Sequence, residues 1–572
     1  MELKKLRKQN GFTQEECAEF LNISLRTYNK YENHSDKIVE SKYDLYCKKL
    51  NENLNKNLEN NSLLDNINFI TSVKIGNELN DFVQLVSKYK KRKCFTQIKD
   101  YLYDDNYNKV LILYGLRRTG KTTLIRQSIL DMNESDRKKA AFIQITNSNN
   151  LSDLNHDLKL LMKNGFKYIF IDEVTLMNDF IEGSALLSDI FVPNGMKIVL
   201  SGTDSLGFWI SHDEQLYDRC ILLHTTFISY NEFKNVLGIS GIDNYIRYGG
   251  TMSIDGIHYN ENNLFSSENV VDEYVDSAIA RNIQHSLKCY QDENHFRNLK
   301  ELYEKNELTN VINRVVEDIN HRFTIDVLTK DFISHDLGIS ARNLRKDRNN
   351  PTDILDNINV ETFTQRLKEA FEILNKNEQN IEIKDIHKEE IKEYLYALDI
   401  IKEIDLEFLP TSNVKNSLTV ITQPGLRYSQ AKILIEKLMM DKVFEDISAR
   451  ERKLITERIL NEIKGRMMEE IVLLETMIAK KDKKVFKLQF AVGEFDMVVV
   501  DSKNITCEIY EIKHSTEIIN EQQRHLLDDK KCKDTEFRFG KITNKYVIYR
   551  GEDKTLDNGI KYLNVENYLE NL

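Results

Sequence analysis

The sequence predicts a multidomain protein of the α/β class, and three observations in separate parts of the chain support this. Residues 3–33 consist of short helical segments joined by tight turns. Residues 109–224 alternate apolar runs ("KVLILY", "AAFIQI", "YIFID", "KIVLSG", "ILLHT") with helical or polar segments, which is typical of a parallel sheet flanked by helices. Strand-like alternation returns from residue 485, after a charged region at 256–460 whose 3.6-residue period predicts helices. We therefore expect an all-α module, a parallel-sheet α/β domain, a helical region and a second α/β domain.

The composition predicts a cytoplasmic protein with reduced thiols. The chain has 572 residues, of which 41% are hydrophobic and 30% are charged, and this favours folded cores over disorder. No apolar run is long enough for a membrane span, and the basic start lacks the apolar stretch of a signal peptide. Seven scattered cysteines without a CxxC pair predict neither a disulfide framework nor a zinc site. A net charge of −11 excludes a chain that coats nucleic acid throughout, and we expect the basic run "KYKKRK" (88–93) to be a solvated helix face.

The first helices have the pattern of a DNA-reading pair. Thr13 is placed to cap a second helix after a first that ends near Gly11, and Ser24 to cap a third helix after a turn at Asn22. In "TQEECAEFLNISLRTYNKYEN" the stretch resembles the phage-repressor-like (XRE-type) helix–turn–helix family, whose second helix of the pair lies in the major groove. The alternative is a helix pair that docks protein. The residues that we expect to contact DNA are Gln14, Arg26, Thr27, Asn29 and Lys30.

The stretch "VLILYGLRRTGKTTLIRQ" (110–127) predicts a nucleotide-phosphate site. Gly115 and Gly120-Lys121-Thr122 match the pattern GxxxxGK[ST], followed by Thr123, between a strand and a helix. Backbone N–H groups of such a loop surround phosphates, and the helix start adds its positive dipole end. Lys121 is expected to reach the β- and γ-phosphates of ATP, and the Thr122 hydroxyl to bind Mg²⁺.

Three further segments are expected to complete this site. In "YIFIDEV" (168–174), Asp172 follows a buried strand and can hold Mg²⁺, while Glu173 can orient the attacking water. The strand end "KIVLSGTDS" (197–205) offers Thr203 or Ser201 as the sensor of the γ-phosphate, and the residues do not decide between them. Arg219 is a candidate for the developing charge, acting in its own subunit or in a neighbour, and an ordinary surface arginine is the alternative.

These motifs, followed by "TFISYNEF" (226–233) and "YIRYGG" (245–250), resemble a prokaryotic P-loop ATPase family of the AAA+/STAND type. Members of that family often carry a C-terminal restriction-endonuclease-like domain. The segment "TQPGLRYSQA" (422–431) also has the look of a motif, but its residues suggest no physical role. "SHDLGISARNLRKDR" (334–348) is either a second helix–turn–helix or a plain turn between helices.

The C-terminal stretch "GEFDMVVVDSKNITCEIYEIKHS" (493–515) then predicts a metal-dependent nuclease centre of the PD-(D/E)XK kind. Glu511 and Lys513 share one face of a strand, and Asp496 lies beside them if the two runs form a hairpin. Asp496 and Glu511 would bind Mg²⁺ or Mn²⁺, and Lys513 would steady the nucleophile or the phosphate charge. In the family resembled, a helix acid follows a glycine by four residues, so Gly465 selects Glu469 rather than Glu470. The alternative is a scaffold that no longer cuts.

The sequence thus predicts five regions: a helix–turn–helix (1–60), a linker or helical segment (61–90), an ATPase (91–255), a helical region with a winged-helix element near 320–350 (256–460), and a nuclease-like domain (461–572). The leading hypothesis is an ATP-dependent DNA-cutting enzyme, and the resemblance suggests bacterial defence or mobile-element control as its setting. Self-association through the ATPase is expected, because arginine fingers are often supplied by a neighbouring subunit. The rival hypotheses are a nucleotide-switched transcriptional regulator and a signalling ATPase that docks protein.

Overall fold

The computed structural model describes the chain in separate ranges: 2–10, 12–33, 42–51, 68–104, 108–177, 179–180, 185–202, 219–252, 299, 302, 305, 307–327, 385–410, 416–440, 445 and 448–572. Thr203 lies outside these ranges, as does most of the winged-helix element expected near 320–350 and all of the segment at 334–348. None of the described helices combines the length and the apolar character that a bilayer span requires.

The described part of the N-terminal module packs short helices around one apolar core. They are α1 (Glu2–Gln9), α2 (Gln14–Phe20), α3 (Leu25–Asn33) and α4 (residues 42–51). Thr13 caps α2 through a capping box with Glu16, and Ser24 Oγ accepts the N–H of Thr27 at the start of α3. Asn22 in the turn has a φ of 57°, a left-handed conformation that asparagine tolerates. The helix starts predicted at Thr13 and Ser24 are confirmed.

A six-stranded sheet forms the centre of the second region, and it is parallel except for its β1 edge. Its strands are β1 (Ser72–Lys74), β2 (Val110–Tyr114), β3 (Ala140–Gln144), β4 (Tyr168–Asp172), β5 (Lys197–Gly202) and β6 (Cys220–His224), in the order β1-β3-β4-β5-β2-β6. The helices around it are α5 (Gly76–Gln84), α6 (Phe95–Tyr103), α7 (Lys121–Leu130), α8 (Glu134–Arg137) and α9 (Leu151–Lys163). All five strands predicted from the apolar runs are present, which confirms the parallel sheet.

The start of this region differs in part from the expectation. Residues 61–90 were expected to be a linker or a helical segment, and α5 is indeed a helix. It packs in the same core as α7, however, and β1 pairs with β3, so this segment belongs to the sheet domain. β1 has three residues, which is too few for alternation to reveal a strand. The run "KYKKRK" is not a solvated helix face either, because it forms turns and Arg92 is buried.

The remaining described helices are α10 (Tyr230–Leu237), α11 (Ile242–Tyr248), α12 (Leu308–Asp326), α13 (Asp385–Ala397), α14 (Pro424–Met439), α15 (Ala449–Ala479), α16 (Asp529–Phe539) and α17 (Val565–Glu570). The helical region was predicted to continue to residue 460, and for residues 401–409 and 416–421 this is wrong. The chain turns at Asp399, with a φ of 60°, and then forms two strands. They were hidden by the strong helical period of α13 immediately before them.

An eight-stranded sheet forms the C-terminal region. Its strands are β7 (Ile401–Leu409), β8 (Asn416–Ile421), β9 (Lys484–Phe490), β10 (Glu494–Asp501), β11 (Thr506–Ile512), β12 (Lys541–Tyr549), β13 (Lys554–Thr555) and β14 (Lys561–Asn564), in the order β13-β14-β12-β11-β10-β9-β7-β8. β9, β10 and β11 are antiparallel neighbours, whereas β12 runs parallel to β11 after the crossover helix α16. The second α/β domain is therefore confirmed, and it is larger than predicted.

One apolar core joins the helices that follow β6 to the C-terminal sheet. It contains Phe233 of α10 and Tyr245 of α11 together with Ile471 of α15 and Met497 of β10. The Tyr230 N–H also donates to Glu475 of α15 over 2.7 Å. α10 and α11, which fall within the region predicted as the ATPase (91–255), therefore also pack against the C-terminal region.

Candidate functional sites

The phosphate-binding loop lies at the carboxyl end of β2. β5 is on one side of β2 and β6 on the other, so the strand order reverses at this position. Ligands of open α/β sheets bind at such a switch point, outside the carboxyl ends of the strands. Because β4 and β5 run parallel to β2, the ends of all three strands meet at this edge.

The loop itself has the backbone shape that its glycines allow. Gly115 has a φ of 139° and Gly120 a φ of 87°, and a Cβ on Gly115 would lie 2.6 Å from Thr225 Oγ1. Lys121 Nζ donates to the carbonyl oxygens of Gly115 at 2.7 Å and Leu116 at 2.8 Å. Burial lowers the pKa of Lys121 to about 8, although the carboxylates of Glu173 and Asp172 act in the opposite direction. The ammonium is thus held over the loop where phosphate oxygens would be received.

Asp172 is the centre of a hydroxyl cluster beside the loop. Its Oδ2 accepts the Thr122 hydroxyl at 2.7 Å, its Oδ1 accepts the Ser201 hydroxyl, and the side chain is buried. These oxygens are of the hard type that Mg²⁺ prefers, so the residues present fit the ion. Glu173 follows at a φ of 55° and is half-buried, as is Thr123. The structure brings together Thr122, Asp172 and Ser201, which leaves Ser201 as the described candidate for the polar residue at the end of β5.

Arg92 is a residue of this site that sequence reasoning missed. Its guanidinium donates to the carbonyl oxygens of Thr119 in the loop at 2.7 Å and Thr225 after β6 at 2.8 Å. It also forms an ion pair with Glu232 at 2.9 Å, and both side chains are buried. Arg92 therefore fixes the loop to the segment "TFISYNEF". Nothing in a basic run distinguishes this arginine from its solvated neighbours.

Arg219 is not brought to the loop. The Arg219 carbonyl accepts the N–H of Val110, which places the residue at the amino end of β2, opposite the loop. Its guanidinium pairs instead with Asp189 at 3.1 Å. A contact between Arg219 and the nucleotide of its own subunit is therefore incompatible with this arrangement, and the neighbouring-subunit alternative stays a prediction.

The second candidate centre lies on β10 and β11. The two strands pair as the predicted hairpin, with Met497 opposite Tyr510, so the next step in register sets Asp496 opposite Glu511. Lys513 Nζ lies 3.0 Å from Asp496 Oδ2 and 2.8 Å from Glu511 Oε2. The three residues selected from the sequence thus form one contiguous cluster.

The charges of this cluster are strongly coupled. Burial would raise the pKa of Asp496, but Lys513, Lys487 and the N–H of Ile512 outweigh it and lower the pKa to about 2. Burial and the neighbouring Asp496 raise the pKa of Glu511 well above its usual range, against the effect of Lys513. No N–H or O–H donor among the described residues reaches Glu511 Oε1. This buried, unpaired oxygen is what a site for a metal ion would leave open.

A second layer of the cluster includes two residues that the sequence analysis did not select, Glu494 and Lys487. Glu469, Glu494 and Asp496 each offer a carboxylate oxygen within 4.8 Å of the others, a set that fits Mg²⁺ or Mn²⁺. Lys487 Nζ lies 2.5 Å from Glu494, 3.3 Å from Glu469 and 3.9 Å from Asp496. Glu494 could have been found, because it shares a strand face with Asp496 at i, i+2.

Glu469 and Glu470 face different neighbours. Glu470 forms a buried ion pair with Arg427 of α14 at 2.7 Å, whereas Glu469 joins the acid cluster.

Arg427 belongs to "TQPGLRYSQA", so the structure provides the physical account that this segment lacked. Gln423 Nε2 of this segment donates at 3.0 Å to the carbonyl of Gly250, the last residue of "YIRYGG". A Cβ on Gly250 would lie 2.7 Å from Gln423, so the glycine permits the close approach.

The N-terminal module presents an exposed basic helix. Arg26 and Lys30 of α3 are exposed and lie one turn apart, while Thr27 is half-buried and paired with the Ser24 hydroxyl. Asn29 is half-buried between them. Gln14 differs from these four, because its amide donates to Glu32 and so joins α2 to α3.

Comparisons with known proteins agree with two of these regions. A family model described as "AAA domain" matches residues 107–234, and one described as "Helix-turn-helix" matches residues 3–38. The chain contains an AAA domain. It follows that the chain has an ATPase domain, with nucleotide and usually Mg²⁺ as its ligands, and an N-terminal DNA-binding domain of the helix–turn–helix type.

The comparisons with whole proteins and with solved structures carry less information than these two domain matches. A comparison with functionally curated proteins found no significant match. Among solved structures, the chain is similar to the Hsp104–ADP complex of Saccharomyces cerevisiae, with 14% identity over 70% of this chain and a TM-score of 0.24. It is also similar to the Aeropyrum pernix ORC1 protein in complex with DNA, with 12% identity over 64% of this chain and 98% of that one and a TM-score of 0.21. The match spans 58% of the Hsp104 chain, and at these TM-scores neither likeness bears on the function.

Proposed function

We propose that the chain is an ATP-hydrolysing protein that cuts DNA at its C-terminal centre with the help of Mg²⁺ or Mn²⁺. The observation that carries this proposal is the position of the Lys513 ammonium, within 3.0 Å of both Asp496 and Glu511. A lysine between two buried carboxylates on adjacent strands is an unusual arrangement for a purely structural role, since each buried charge is costly.

The residues have distinct tasks in this proposal. Glu469, Glu494 and Asp496 would hold the metal, with Glu511 beside them, and the bound ion would lower the pKa of a water molecule that serves as the nucleophile. The Asp496 and Glu511 carboxylates raise the pKa of Lys513 well above its usual range, against the effect of burial, so it remains a cation. The Lys513 ammonium stabilises the negative charge that develops on the phosphate.

The AAA domain supplies the switch. Lys121 receives the β- and γ-phosphates, Thr122 and Asp172 hold Mg²⁺, and Glu173 orients the attacking water. Arg219 lies at the opposite end of the sheet, so in this proposal a second copy of the chain provides the arginine at the γ-phosphate. We therefore propose a homo-oligomer through the AAA domain, acting on DNA in the cytoplasm in defence or mobile-element control.

One observation favours a second candidate function. Lys487 places an ammonium among the same carboxylates that would hold the metal. A lysine at this position neutralises the carboxylates in place of a metal ion, which suits a scaffold that binds DNA without cutting it. The chain would then be a nucleotide-switched regulator of transcription.

The test is a cleavage assay of the full chain on linear, supercoiled and single-stranded DNA, with Mg²⁺ or Mn²⁺ and with or without ATP. We expect metal-dependent cleavage that falls more than about a hundredfold in Lys513→Ala, the range seen when one preorganised charge is lost. Lys533→Ala, an exposed lysine of α16, is the matched control and should cut normally. Lys121→Ala reports whether ATP gates the cut. DNA that is bound but never cut would favour the regulator.

A further inference from the structure

A cluster of basic side chains, separate from the acid centre, surrounds the carboxylate of Asp243 in α11. Asp243 Oδ1 lies 3.0 Å from His514 Nε2 and 3.8 Å from Lys464 Nζ, and its Oδ2 lies 2.7 Å from Arg550 Nη2. The three partners come from α15, the end of β11 and the end of β12, so they converge from three elements. The cluster has no role in the tasks assigned above.

This cluster carries more positive than negative charge. Burial lowers the pKa of Lys464, Asp243 raises it, and the nearby positive charges of Arg247 and Arg550 lower it further. The hydrogen bond with His514, and then the charges of His514, Lys464 and Arg550, lower the pKa of Asp243 to about 2 against the effect of burial. One ionised carboxylate therefore faces several cations, and it meets them with both of its oxygens.

The cluster adjoins the candidate nuclease centre along the chain. His514 directly follows Lys513, and Lys464 precedes Glu469 by five residues on α15. A Cβ on Gly465 would lie 3.7 Å from His514 Cβ, an ordinary van der Waals distance, so His514 packs against α15 at this position. The cluster and the candidate nuclease centre therefore share α15 and the segment that follows β11.

We propose that Lys464, His514 and Arg550 form a binding site for a phosphate of the DNA backbone, and that Asp243 occupies this site in the structure described here. A carboxylate and a phosphodiester both offer two charged oxygens, and arginine and lysine bind either. The inference rests on the proposed function, because it takes DNA as the substrate of the adjoining centre.

The element that carries Asp243 is tied to the nucleotide loop. α11 leads into Gly249, whose carbonyl accepts the N–H of Gly425, and on to Met252, whose N–H donates to the Arg118 carbonyl over 2.7 Å. Arg118 belongs to the phosphate-binding loop. A change of that loop on nucleotide binding therefore has a short route to α11, and through it to the carboxylate that fills the phosphate site.

The experiment is DNA binding by the full chain in EDTA, so that no cleavage occurs and the result does not depend on nuclease activity. All proteins carry Arg26→Ala and Lys30→Ala to weaken the helix–turn–helix. Binding of a short fluorescent DNA duplex is measured by anisotropy over a series of salt concentrations, and melting curves check that each protein is folded. Glu389→Gln, on the exposed side of α13, removes the same charge elsewhere and serves as the control.

Asp243→Asn should bind DNA about tenfold more tightly, with a salt slope steeper by about one. Adding Lys464→Gln or Arg550→Gln should reverse the gain, whereas Glu389→Gln should change nothing. If Asp243→Asn is unstable, Asp243→Ser is used with the same expectation. Unchanged or weaker binding in a folded variant would overturn the inference. The role of Asp243 would then be structural, as an ion-pair partner that holds α11 against the sheet. Tighter binding by a protein that never cuts DNA would preserve the site and refute the nuclease.

Discussion

The nucleotide loop and the C-terminal acid centre each contain a buried cation, but the two cations have different partners. Arg92 donates to the backbone carbonyls of Thr119 and Thr225 and pairs with Glu232, none of which is expected to bind a ligand. Lys487 instead contacts Glu469, Glu494 and Asp496, the carboxylates that fit a metal. A cation bound to fixed backbone groups is a permanent part of a site, whereas one bound to ligand carboxylates competes with the ligand.

The largest effect is expected from Arg92→Ala, which tests whether Arg92 is a permanent part of the nucleotide loop. The substitution leaves the buried Glu232 carboxylate without its cation and the carbonyls of Thr119, Thr225 and Phe227 without this donor, a loss of about 3–5 kcal/mol. We expect a fall in Tm of roughly 10 °C, with or without MgATP, and loss of ATP binding in a nucleotide-binding titration. Lys90→Ala, exposed in the same basic run, should melt normally. A normal melt of Arg92→Ala would show that the loop keeps its shape without the arginine.

Lys487→Met tests whether Lys487 competes with a metal ion for the carboxylates of the acid centre. Without the ammonium, three carboxylates repel one another, and melting in EDTA should fall by several degrees. Mg²⁺ should then restore the loss, so that the rise in Tm on adding Mg²⁺ is larger in the variant than in the wild type. Lys484→Met changes a more exposed lysine of the same strand and is the control. An equal effect of Mg²⁺ on both proteins would mean that the metal does not replace Lys487.

Glu475→Gln tests a buried carboxyl group that connects the AAA region to the C-terminal region. Glu475 of α15 accepts the N–H of Tyr230, which lies at the start of the helix that follows the AAA sheet. Burial raises the pKa of Glu475 to about 8, although Tyr230, Tyr245 and Lys93 lower it and Glu232 raises it further. The folded protein therefore keeps this proton where the unfolded chain loses it. Its stabilisation is complete below pH 4.5 and is lost as the pH rises through about 8.

The wild-type Tm should accordingly fall between pH 5 and pH 9, by an amount that corresponds to at most about 5 kcal/mol. Glu475→Gln should flatten this profile, and Glu457→Gln, on an exposed position of the same helix, should leave it unchanged. Differential scanning calorimetry across the pH range provides the measurement. An unaltered slope in Glu475→Gln would assign the pH dependence to other groups.

The smallest effect is expected at the helix–turn–helix, where Arg26 and Lys30 face solvent and form no ion pair with any residue that the structure describes. Arg26→Ala should weaken binding of duplex DNA by about three- to tenfold and make the salt slope shallower by about one. Lys8→Ala, exposed on α1, is the control. Binding by the wild type that lacks any salt dependence would instead favour a module that docks protein.

The AAA loop could be predicted almost completely, because its residues are contiguous and its chemistry requires their spacing. Gly115, Gly120 and Lys121 specify a loop whose backbone does the binding, and the strand ends at Asp172 and Ser201 follow from parallel strands of one sheet. The contribution of Arg92 could not be predicted. Burial of one arginine in a basic run depends on Glu232, which is 140 positions away in sequence.

The acid centre was predictable along its hairpin and, through the family resemblance, at Glu469. Asp496, Glu511 and Lys513 come together because two adjacent strands pair locally. Lys487 and Glu494 belong to the same cluster through the pairing of β9 with β10, which sets the lysine beside the carboxylates. The strands β7 and β8 escaped prediction for a related reason, since the pairing of β7 with β9 and with β8 is not visible in the helical pattern that precedes them.

The sequence by itself determined the order of the modules, the starts of the first helices, the parallel sheet and the glycine loop, because each depends on local spacing and backbone freedom. Only the tertiary structure decided which charges face one another. Arg92 with Glu232, Lys487 with Glu494 and Asp243 with Arg550 all join residues from different elements. A charge that is solvated in one packing arrangement is buried and paired in another, so its role depends on neighbours that the fold alone brings close.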